Sequence, residues 1–283
     1  MNLSLVMATV HRADVVRRLI DSLVAQSDRS FELIVVDQNA DRRLDPIIAT
    51  ARGMGVEVVH DRFVERNLSA ARNRGLELAR GSVSGFPDDD CWYGPRVVQG
   101  VSAFLHAHGE YDGVVARWHE QDPTGRAEHD LSLDDWRRFR AAPASSISLF
   151  LRQAALAALG GFDARFGVSR YFGAGEETDL LLRALAAGRR IRYVPTIVVH
   201  HAFAGSPSGP LAQACQRTRS RERGVGALYA KHKLPASVVV RGIVAPLVKP
   251  LLPPRSMRGI VNGLCTALGR IEGLVKWKSA DRQ

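Results

Sequence analysis

The chain has 283 residues, of which 46% are hydrophobic, 24% charged and 7% aromatic. This composition is typical of one large α/β domain, alone or with an appendage, and it excludes collagen-like and disordered proteins. The net charge of +10 is uneven, since residues 201–283 hold 14 Lys/Arg against 3 Asp/Glu while residues 1–200 are nearly neutral. The C-terminal part is therefore expected to meet an anionic surface, either nucleic acid or lipid headgroups.

Alternating apolar strands and amphipathic helices fill the first ninety residues. Strands are predicted at residues 3–9, 31–36, 56–59 and 83–86, and helices at 15–23, 45–52 and 68–79. This order predicts a doubly wound, mostly parallel α/β sheet, in which ligands bind at the carboxyl ends of the strands. Asp37 and the triplet Asp88, Asp89 and Asp90 occupy such ends.

The remaining chain is less regular. Helices are predicted at residues 95–106, 133–140, 153–159 and 178–187, and strands at 111–118, 145–151 and 191–199. A Gly/Ser/Pro break at residues 204–210 precedes the basic C-terminal segment. The break predicts a boundary between a globular part and an extension.

Cysteine usage and hydropathy bear on location. Cys91, Cys215 and Cys265 are odd in number, far apart and outside any Cys-x-x-Cys pair, so we expect unpaired thiols in a reducing cytosol. No run reaches the roughly 18 uncharged apolar residues that a spanning helix needs. Any membrane contact is therefore expected to be peripheral.

The acidic triplet follows an apolar strand. On an extended chain Asp88 and Asp90 would point to one side, where they could bind a divalent cation. The triplet could equally form a solvated turn that caps the next helix. Spacing alone leaves both interpretations open.

Two further segments carry charges at helix starts. Arg72 and Arg74 lie early in the helix that leads to the acidic strand, and they could be solvated surface residues. Glu176 and Glu177 begin a later helix, where carboxylates suit the helix dipole, or where one of them could act as a general base. Singly, each segment is more typical of a structural role.

The order and combination of seven segments are more specific. They are the first strand with His11 and Arg12, the strand ending at Asp37, residues 67–75, 86–90, 160–163 and 175–180, and the strand ending at His200 and His201. In these segments the sequence resembles the family 2 glycosyltransferases, inverting enzymes of the GT-A fold, over residues 2–201. The resemblance implies a GT-A catalytic domain at 1–203, with a nucleotide-sugar half at about 1–100 and an acceptor half at about 101–203. A basic, amphipathic helical extension would follow at 204–283.

Carried over position by position, the resemblance implies site roles. The nucleotide-sugar donor would contact Thr9, Asp37, Arg72, Arg74, Asp88 and Asp89. Asp88 and Asp90 would form an Asp-x-Asp motif that binds Mn²⁺ or Mg²⁺, chiefly through Asp90, and His200 or His201 could complete the metal site or be an ordinary feature of the rim. Gly161, Phe162 and Asp163 would form part of the acceptor side.

The resemblance also implies a general base. Family members usually have a Glu-Asp pair where this chain has Glu176 and Glu177, so Glu177 is assigned as the base and Glu176 as the alternative. Gln38 stands where relatives often have a second acidic residue, which leaves the identity of the nucleotide open. The expected reaction is a metal-dependent, inverting transfer in one displacement, without a covalent sugar-enzyme intermediate.

The C-terminal segment carries an apolar stripe at helical spacing, beside basic residues: Ile260, Leu264, Leu268, Ile271 and Val275. Such a helix fits an anionic membrane interface, or it could pack on the catalytic domain or a partner chain. Membrane contact would suit a glycan or polyprenyl-linked glycan acceptor in surface polysaccharide synthesis. We expect a cytoplasmic protein, peripheral on the inner face of the cell membrane.

Two other functions compete with this interpretation. The basic tail alone would suit a nucleic-acid-binding α/β protein, but it lacks an array of stacking aromatic residues and any familiar RNA or DNA motif, so nucleic acid is not an expected partner. A sugar nucleotidyltransferase would share the fold class and the metal. It is disfavoured because His11 and Arg12, rather than a glycine-rich phosphate loop, follow the first strand.

Overall fold

A computed structural model describes residues 2–139, 144–201, 210–252 and 256–280, and the chain divides into two compact units. The first contains the described residues of Met1–Ser132, Ala142–Phe162 and Arg183–Phe203, and the second those of Leu133–Ala141, Asp163–Leu182 and Ala204–Gln283. The expected boundary between residues 203 and 204, with nearly all of the Gly/Ser/Pro break, lies outside the described residues.

A mixed sheet forms the centre of the first unit. Its strands are β1 (Leu3–Thr9), β2 (Phe31–Asp37), β3 (Val58–Arg62), β4 (Val83–Gly85), β5 (Cys91–Tyr93), β6 (Gly113–Trp118), β7 (His129–Asp130), β8 (Leu149–Arg152) and β9 (Ile191–His201). The order is β3-β2-β1-β4-β8-β6-β9-β5, with β7 also on β9. The longer ladders are parallel and the antiparallel ladders are short, which confirms the expected mostly parallel α/β sheet.

Helices alternate with the strands and then dominate the C-terminal part. Among the described residues they are α1 (Val16–Val24), α2 (Asp45–Gly53), α3 (Leu68–Leu78), α4 (Val97–Ala107), α5 (Leu133–Arg137), α6 (Gln153–Leu159), α7 (Glu176–Ala186), α8 (Leu211–Lys231), α9 (Ala236–Val248) and α10 (Met257–Ala280). Most of the predicted elements are present, because hydrophobic periodicity is the dominant local signal.

Helix α3 shows how the sequence specifies local structure in the first unit. The Asn67 side chain accepts a hydrogen bond from the Ala70 amide and caps the helix. Further along, a Cβ on Gly75 would lie 2.2 Å from Cγ1 of Val6. The helix can therefore approach β1 closely only because this position is glycine.

Three short elements differ from the sequence-based prediction. β5 and β7 were not predicted, because strands of two or three residues carry almost no periodic signal. Residues 145–151 do not form one strand, since a 3₁₀ turn at Ser146–Ser148 precedes β8.

The second unit is held together by close helix contacts and an aromatic cluster. Phe166, Phe172 and Trp277 pack in its core. A Cβ on Gly226 would lie 2.0 Å from the Arg270 carbonyl oxygen, and a Cβ on Gly273 would lie 2.0 Å from that of Arg223. Glycines that would weaken an isolated helix therefore allow α8 and α10 to touch backbone to backbone.

The expectation that all cysteines are unpaired is wrong. Cys215 on α8 and Cys265 on α10 form a disulfide with a Cα–Cα distance of 5.7 Å, and Cys91 is free and buried. The 50-residue separation of the pair concealed it, because only the antiparallel contact of the two helices brings the cysteines together.

Helix α10 places its apolar stripe outward. Leu264, Leu268, Ile271 and Val275 are 41–61% exposed, while Gly269 and Gly273 of α10 face α8. On α9, Val240, Val244 and Val248 are also exposed. Within the described ranges, no helix combines the length and the hydropathy that crossing a bilayer would require.

Candidate functional site

Polar side chains gather in the first unit at the carboxyl ends of its parallel strands. Thr9 and Asp37 are register partners at the ends of β1 and β2. The acidic triplet follows β4, which is parallel to β1. These ends meet at one edge of the sheet, where α/β folds bind ligands.

The acidic triplet does not continue the strand. Asp89 and Asp90 form a turn, so the extended conformation on which the expected placement of Asp88 and Asp90 depended is absent at these residues. Arg12 instead donates hydrogen bonds to Asp89, at 3.1 Å, and to Asp90. The Thr9 hydroxyl donates to Asp89 over 2.7 Å. The sequence offered one signal for Arg12, its position just after the first strand.

His201 completes this group. β5 pairs antiparallel with β9, opposing Cys91 to His201, and because Asp90 directly precedes β5, Nε2 of His201 lies 2.9 Å from Oδ1 of Asp90. The hydrogen bond from His201, together with the charges of His201 and Arg12, lowers the pKa of Asp90 to about 2 despite partial burial. Asp90 is therefore a carboxylate at neutral pH.

Asp89 is in a different environment. Burial raises its pKa, against the hydrogen bond from Thr9 and the charge of Arg12. The structure thus brings Thr9, Asp89, Asp90 and His201 together around Arg12, and we call these five residues the acidic edge.

Asp88 forms an ion pair with Arg72. The Arg72 guanidinium is almost wholly buried, donates to Asp88 over 2.9 Å and to the Ser146 hydroxyl over 2.8 Å, and lies over the Phe162 ring at 5.4 Å. Arg74, on the same helix, donates to Asp61 and Glu77. Arg72 therefore contacts the acidic triplet, whereas Arg74 points to the end of β3.

Asp37 is fully buried. Its Oδ1 accepts hydrogen bonds from the Asn39 amide and side chain, and its Oδ2 lies 3.0 Å from Nε2 of His60. The Gln38 side chain accepts from the Asn67 amide, at the cap of α3. His60 was not named in the sequence analysis, because nothing local marks a histidine within a strand.

The two histidines at the end of β9 contact different carboxylates, His200 that of Glu120 and His201 that of Asp90. His200 stacks on Trp92 with ring centroids 5.2 Å apart, and its Nδ1 lies 3.0 Å from Glu120. Ligand atoms of His119, Glu120 and His200 lie within 4.8 Å of one another, close enough to hold a metal ion. Of the histidines predicted as metal ligands, His201 therefore contacts Asp90, and His200 belongs to a second group.

The expected acceptor residues divide between the two units. In the first, Asn73 exchanges two hydrogen bonds of 2.8 Å with the Phe162 backbone, and a Cβ on Gly161 would lie 2.5 Å from Oδ1 of Asn73. In the second, Asp163 accepts a 2.7 Å hydrogen bond from Lys231. Burial would raise the pKa of Asp163, but hydrogen bonds from Arg165 and Lys231 hold it well below its usual range.

The carboxylates predicted as bases, Glu176 and Glu177, lie in the first turn of α7 in the second unit. Glu176 is buried and Glu177 half-buried. Asp179, in the same turn, is fully buried and bonded to Lys231 at 2.6 Å and to His232 at 2.9 Å. Acidic side chains here interact favourably with the amino end of the helix.

The sequence of the chain is similar to those of known glycosyltransferases. The model of glycosyl transferase family 2 matches residues 4–161, more than half of the chain. A relative from Mycobacterium bovis, "PGL/p-HBAD biosynthesis glycosyltransferase", is 31% identical over 113 residues, which cover 39% of this chain and 44% of the relative. The match thus spans less than half the length of that relative.

Two solved structures share the fold. The mannosyltransferase PcManGT from Pyrobaculum calidifontis, in complex with GDP-Man and Mn²⁺, aligns with a TM-score of 0.66 at 14% identity, over 100% of this chain and 88% of its own. S. aureus TarS 1-349, in complex with UDP-GlcNAc, aligns with a TM-score of 0.62 at 13% identity, over 99% and 92%. The extent of the family match confirms the resemblance seen in the sequence: the chain belongs to glycosyl transferase family 2.

Proposed function

We propose that the chain is a metal-dependent, inverting glycosyltransferase. It moves a sugar from a nucleotide-diphosphate donor to a hydroxyl of a glycan or polyprenyl-linked glycan, in surface polysaccharide synthesis. The observation that carries the proposal is the acidic edge, in which the ionised Asp90 lies beside His201 and Arg12 at the carboxyl ends of parallel strands. Family membership and the nucleotide sugars named with the two structural neighbours support it.

The donor binds at this edge of the first unit. Thr9 and Asp37 contact the base and ribose, and Asp88 and Asp89 contact the ribose or sugar. Arg72, whose buried guanidinium already contacts one carboxylate, offers the planar donor geometry that suits phosphate oxygens. Arg74 contacts the donor less directly, because its guanidinium is bound to Asp61 at the end of β3.

The metal fits the side chains present. Asp90 is ionised and its side chain is 27% exposed, and carboxylate oxygens are the ligands that Mn²⁺ and Mg²⁺ prefer. Asp90 and His201 would hold the ion, with Asp88 and His200 as further candidates. When bound, it neutralises charge that develops on the leaving diphosphate.

A carboxylate in the first turn of α7 acts as the base. Glu177, or Glu176 in its place, accepts the proton of the acceptor hydroxyl, whose oxygen then attacks the anomeric carbon opposite the leaving diphosphate. One displacement forms the new glycosidic bond, breaks the bond to the diphosphate and inverts the anomeric configuration. Gly161, Phe162 and Asp163 position the acceptor.

Donor screening followed by mutagenesis tests the proposal. A panel of UDP-, GDP- and dTDP-sugars is screened for metal-dependent thermal stabilisation, which donor binding produces by mass action, and turnover is measured with the best donor. Asp90→Ala should abolish turnover, and Glu177→Gln should lower kcat by about 10²–10⁴-fold.

The control is Asp28→Ala, which removes a half-buried carboxylate that accepts a hydrogen bond from the nearby Ser30 amide, and it should retain full turnover. Unchanged turnover in Asp90→Ala would refute the metal role. A larger loss in Glu176→Gln than in Glu177→Gln would reassign the base.

Peripheral membrane contact forms the second part of the proposal. The exposed apolar stripe of α10 lies on a strongly basic segment, whose exposed cations include Arg217, Arg221 and Lys278. An anionic bilayer complements both properties. Flotation with phosphatidylglycerol vesicles should recover the protein, and Leu268→Ser combined with Ile271→Ser should reduce recovery. Salt-sensitive binding to oligonucleotides but not to vesicles would favour nucleic acid instead.

The proposed location, the inner face of the cell membrane, bears on the disulfide. A reducing cytosol would keep Cys215 and Cys265 as thiols. Rapid alkylation of intact cells should therefore modify both, whereas the oxidised, purified protein should resist alkylation at these positions. A fully oxidised pair in cells would contradict the location.

A further inference from the structure

A large cavity lies within the second unit, among α8, α9 and α10. Its volume is about 910 Å³, near the upper end of the roughly 300–1,000 Å³ typical of small-molecule sites. None of the residues that line it has a part in the proposed sugar transfer.

The cavity wall is mostly apolar. Tyr229, Val238 and Leu252 contribute apolar surface, and Gly259 and Gly263 of α10 contribute no side chain. A hydrocarbon group in this space would be removed from water at little cost in displaced polar contacts.

One polar part of the wall is already satisfied. Pro246, inside α9, has no N–H to donate to the Gly242 carbonyl one turn earlier. Arg270 donates to that carbonyl over 2.6 Å, and to Glu222 over 2.6 Å. The Arg270 charge is therefore balanced, and Glu222 is not available to repel an anion.

Two other cations line the cavity, Arg241 and Lys249, and neither is paired with a carboxylate among the described residues. Arg241 donates a hydrogen bond to the neutral Arg138 carbonyl. Within the ranges that the structure describes, neither Arg241 nor Lys249 forms an ion pair, and both are exposed cavity-lining residues. A ligand with a negative charge at the entrance would gain two uncompensated cations.

The entrance also continues into exposed apolar surface. Leu252, which lines the cavity, is 60% exposed, and the neighbouring Leu251 and Val248 are exposed as well. An apolar chamber, a cationic rim and an apolar approach together complement an amphiphile that has one hydrocarbon chain and a phosphate.

We propose that the cavity binds the chain of an isoprenyl phosphate lipid, with the phosphate at Arg241 and Lys249. The inference rests on the proposed function, which supplies a substrate of this class as the lipid-linked acceptor. Bilayer phospholipids carry the same phosphate, but their two chains stay in the bilayer, so the exposed faces of α9 and α10 would meet them without filling the cavity.

Calorimetric titration of the full chain, without sugar donor, tests the site. Geranylgeranyl phosphate is the probe, and geranylgeraniol, inorganic phosphate and dihexanoyl phosphatidylglycerol are the comparison ligands. Geranylgeranyl phosphate should bind at least about tenfold more tightly than each of the three, because only it has both the chain and an accessible phosphate.

Two matched pairs of variants locate the binding. Ala245→Trp places a large side chain at an exposed lining position and should abolish binding, whereas Ala236→Trp, at an exposed position of α9 outside the lining, should not. Lys249→Gln should weaken geranylgeranyl phosphate about tenfold and leave geranylgeraniol unchanged. Lys278→Gln, an exposed lysine elsewhere in the unit, should change neither.

Equal loss in both tryptophan variants, or none in Ala245→Trp, would overturn the cavity as the site. Equal affinity for phosphatidylglycerol would assign the surface to bilayer lipid instead. Failure of the proposed function is distinguishable, because turnover with a water-soluble glycan acceptor does not need the cavity and should persist in Ala245→Trp.

Discussion

The acidic edge of the first unit and the cavity of the second handle charge in opposite ways. At the acidic edge of the first, each carboxylate meets a cation or a hydroxyl of its own unit. Around the cavity of the second, Arg241 and Lys249 meet no carboxylate among the described residues, and apolar side chains face outward. The first arrangement fixes the geometry of its own side chains, whereas the second leaves charge and apolar area for a partner to complement.

The first test of this contrast removes Arg72, a buried cation of the first unit. Arg72→Met keeps the side-chain length but leaves Asp88 and Ser146 without their guanidinium, and it should lower the free energy of unfolding by about 2–3 kcal/mol. Arg74→Met is the matched control on the same helix. The Arg74 side chain is 38% exposed, whereas that of Arg72 is 2% exposed. The effect of Arg74→Met in denaturant unfolding should therefore be much smaller, and equal losses would show that burial of Arg72 is unimportant.

The second test addresses the glycine contact in the second unit. Alanine normally stabilises a helix relative to glycine by about 1 kcal/mol, but the Cβ of Gly273→Ala would meet the Arg223 carbonyl and should destabilise the protein by about 2 kcal/mol. Gly53→Ala, in α2 with no atom within 4 Å of its Cβ, should instead be neutral or stabilising. Thermal unfolding of the two variants measures the difference.

The smallest expected effect is a pH dependence in the second unit. Because the pKa of Asp163 is lowered on folding, its stabilisation is present above the unfolded pKa of about 3.9 and is lost as pH falls through the folded value. Asp163→Asn should therefore cost about 1 kcal/mol at pH 6 and progressively less below pH 4. Asp134→Asn removes an exposed carboxylate in the same unit and should cost much less at pH 6, because exposed ion pairs contribute little to stability. Denaturant unfolding of both variants from pH 6 downward measures the difference.

Most of the fold could be predicted, because the hydrophobic periodicity of each long strand and helix is visible in its own sequence. The acidic edge could be predicted only in part. The sequence places Asp90 after β4 and the histidines after β9, but whether His200 or His201 contacts Asp90 depends on how β5 pairs with β9. The contact of Arg12 with two carboxylates depends on the turn at Asp89 and Asp90, which replaced an expected extended segment.

The second unit was less predictable for a related reason. The spacing of the stripe on α10 identified an apolar face, but not whether that face is buried. The outcome depends on Gly273 and its neighbours, whose backbone contact with α8 leaves the larger side chains outside. The Cys215–Cys265 bond follows from the same pairing of helices, which no local pattern encodes.

The end of β9 makes the acidic edge sensitive to strand register. Successive residues of a strand point to opposite faces, so a slip of one residue exchanges their environments. A slip that brings His200 opposite Cys91 would still present an imidazole to Asp90, because both residues are histidine. Val199 would then stand opposite Trp92, which would lose its stacked ring, and Glu120 would lose its partner. Loss of the Trp92 contact would therefore reveal a register error at a position where the contact between Asp90 and an imidazole would look unchanged.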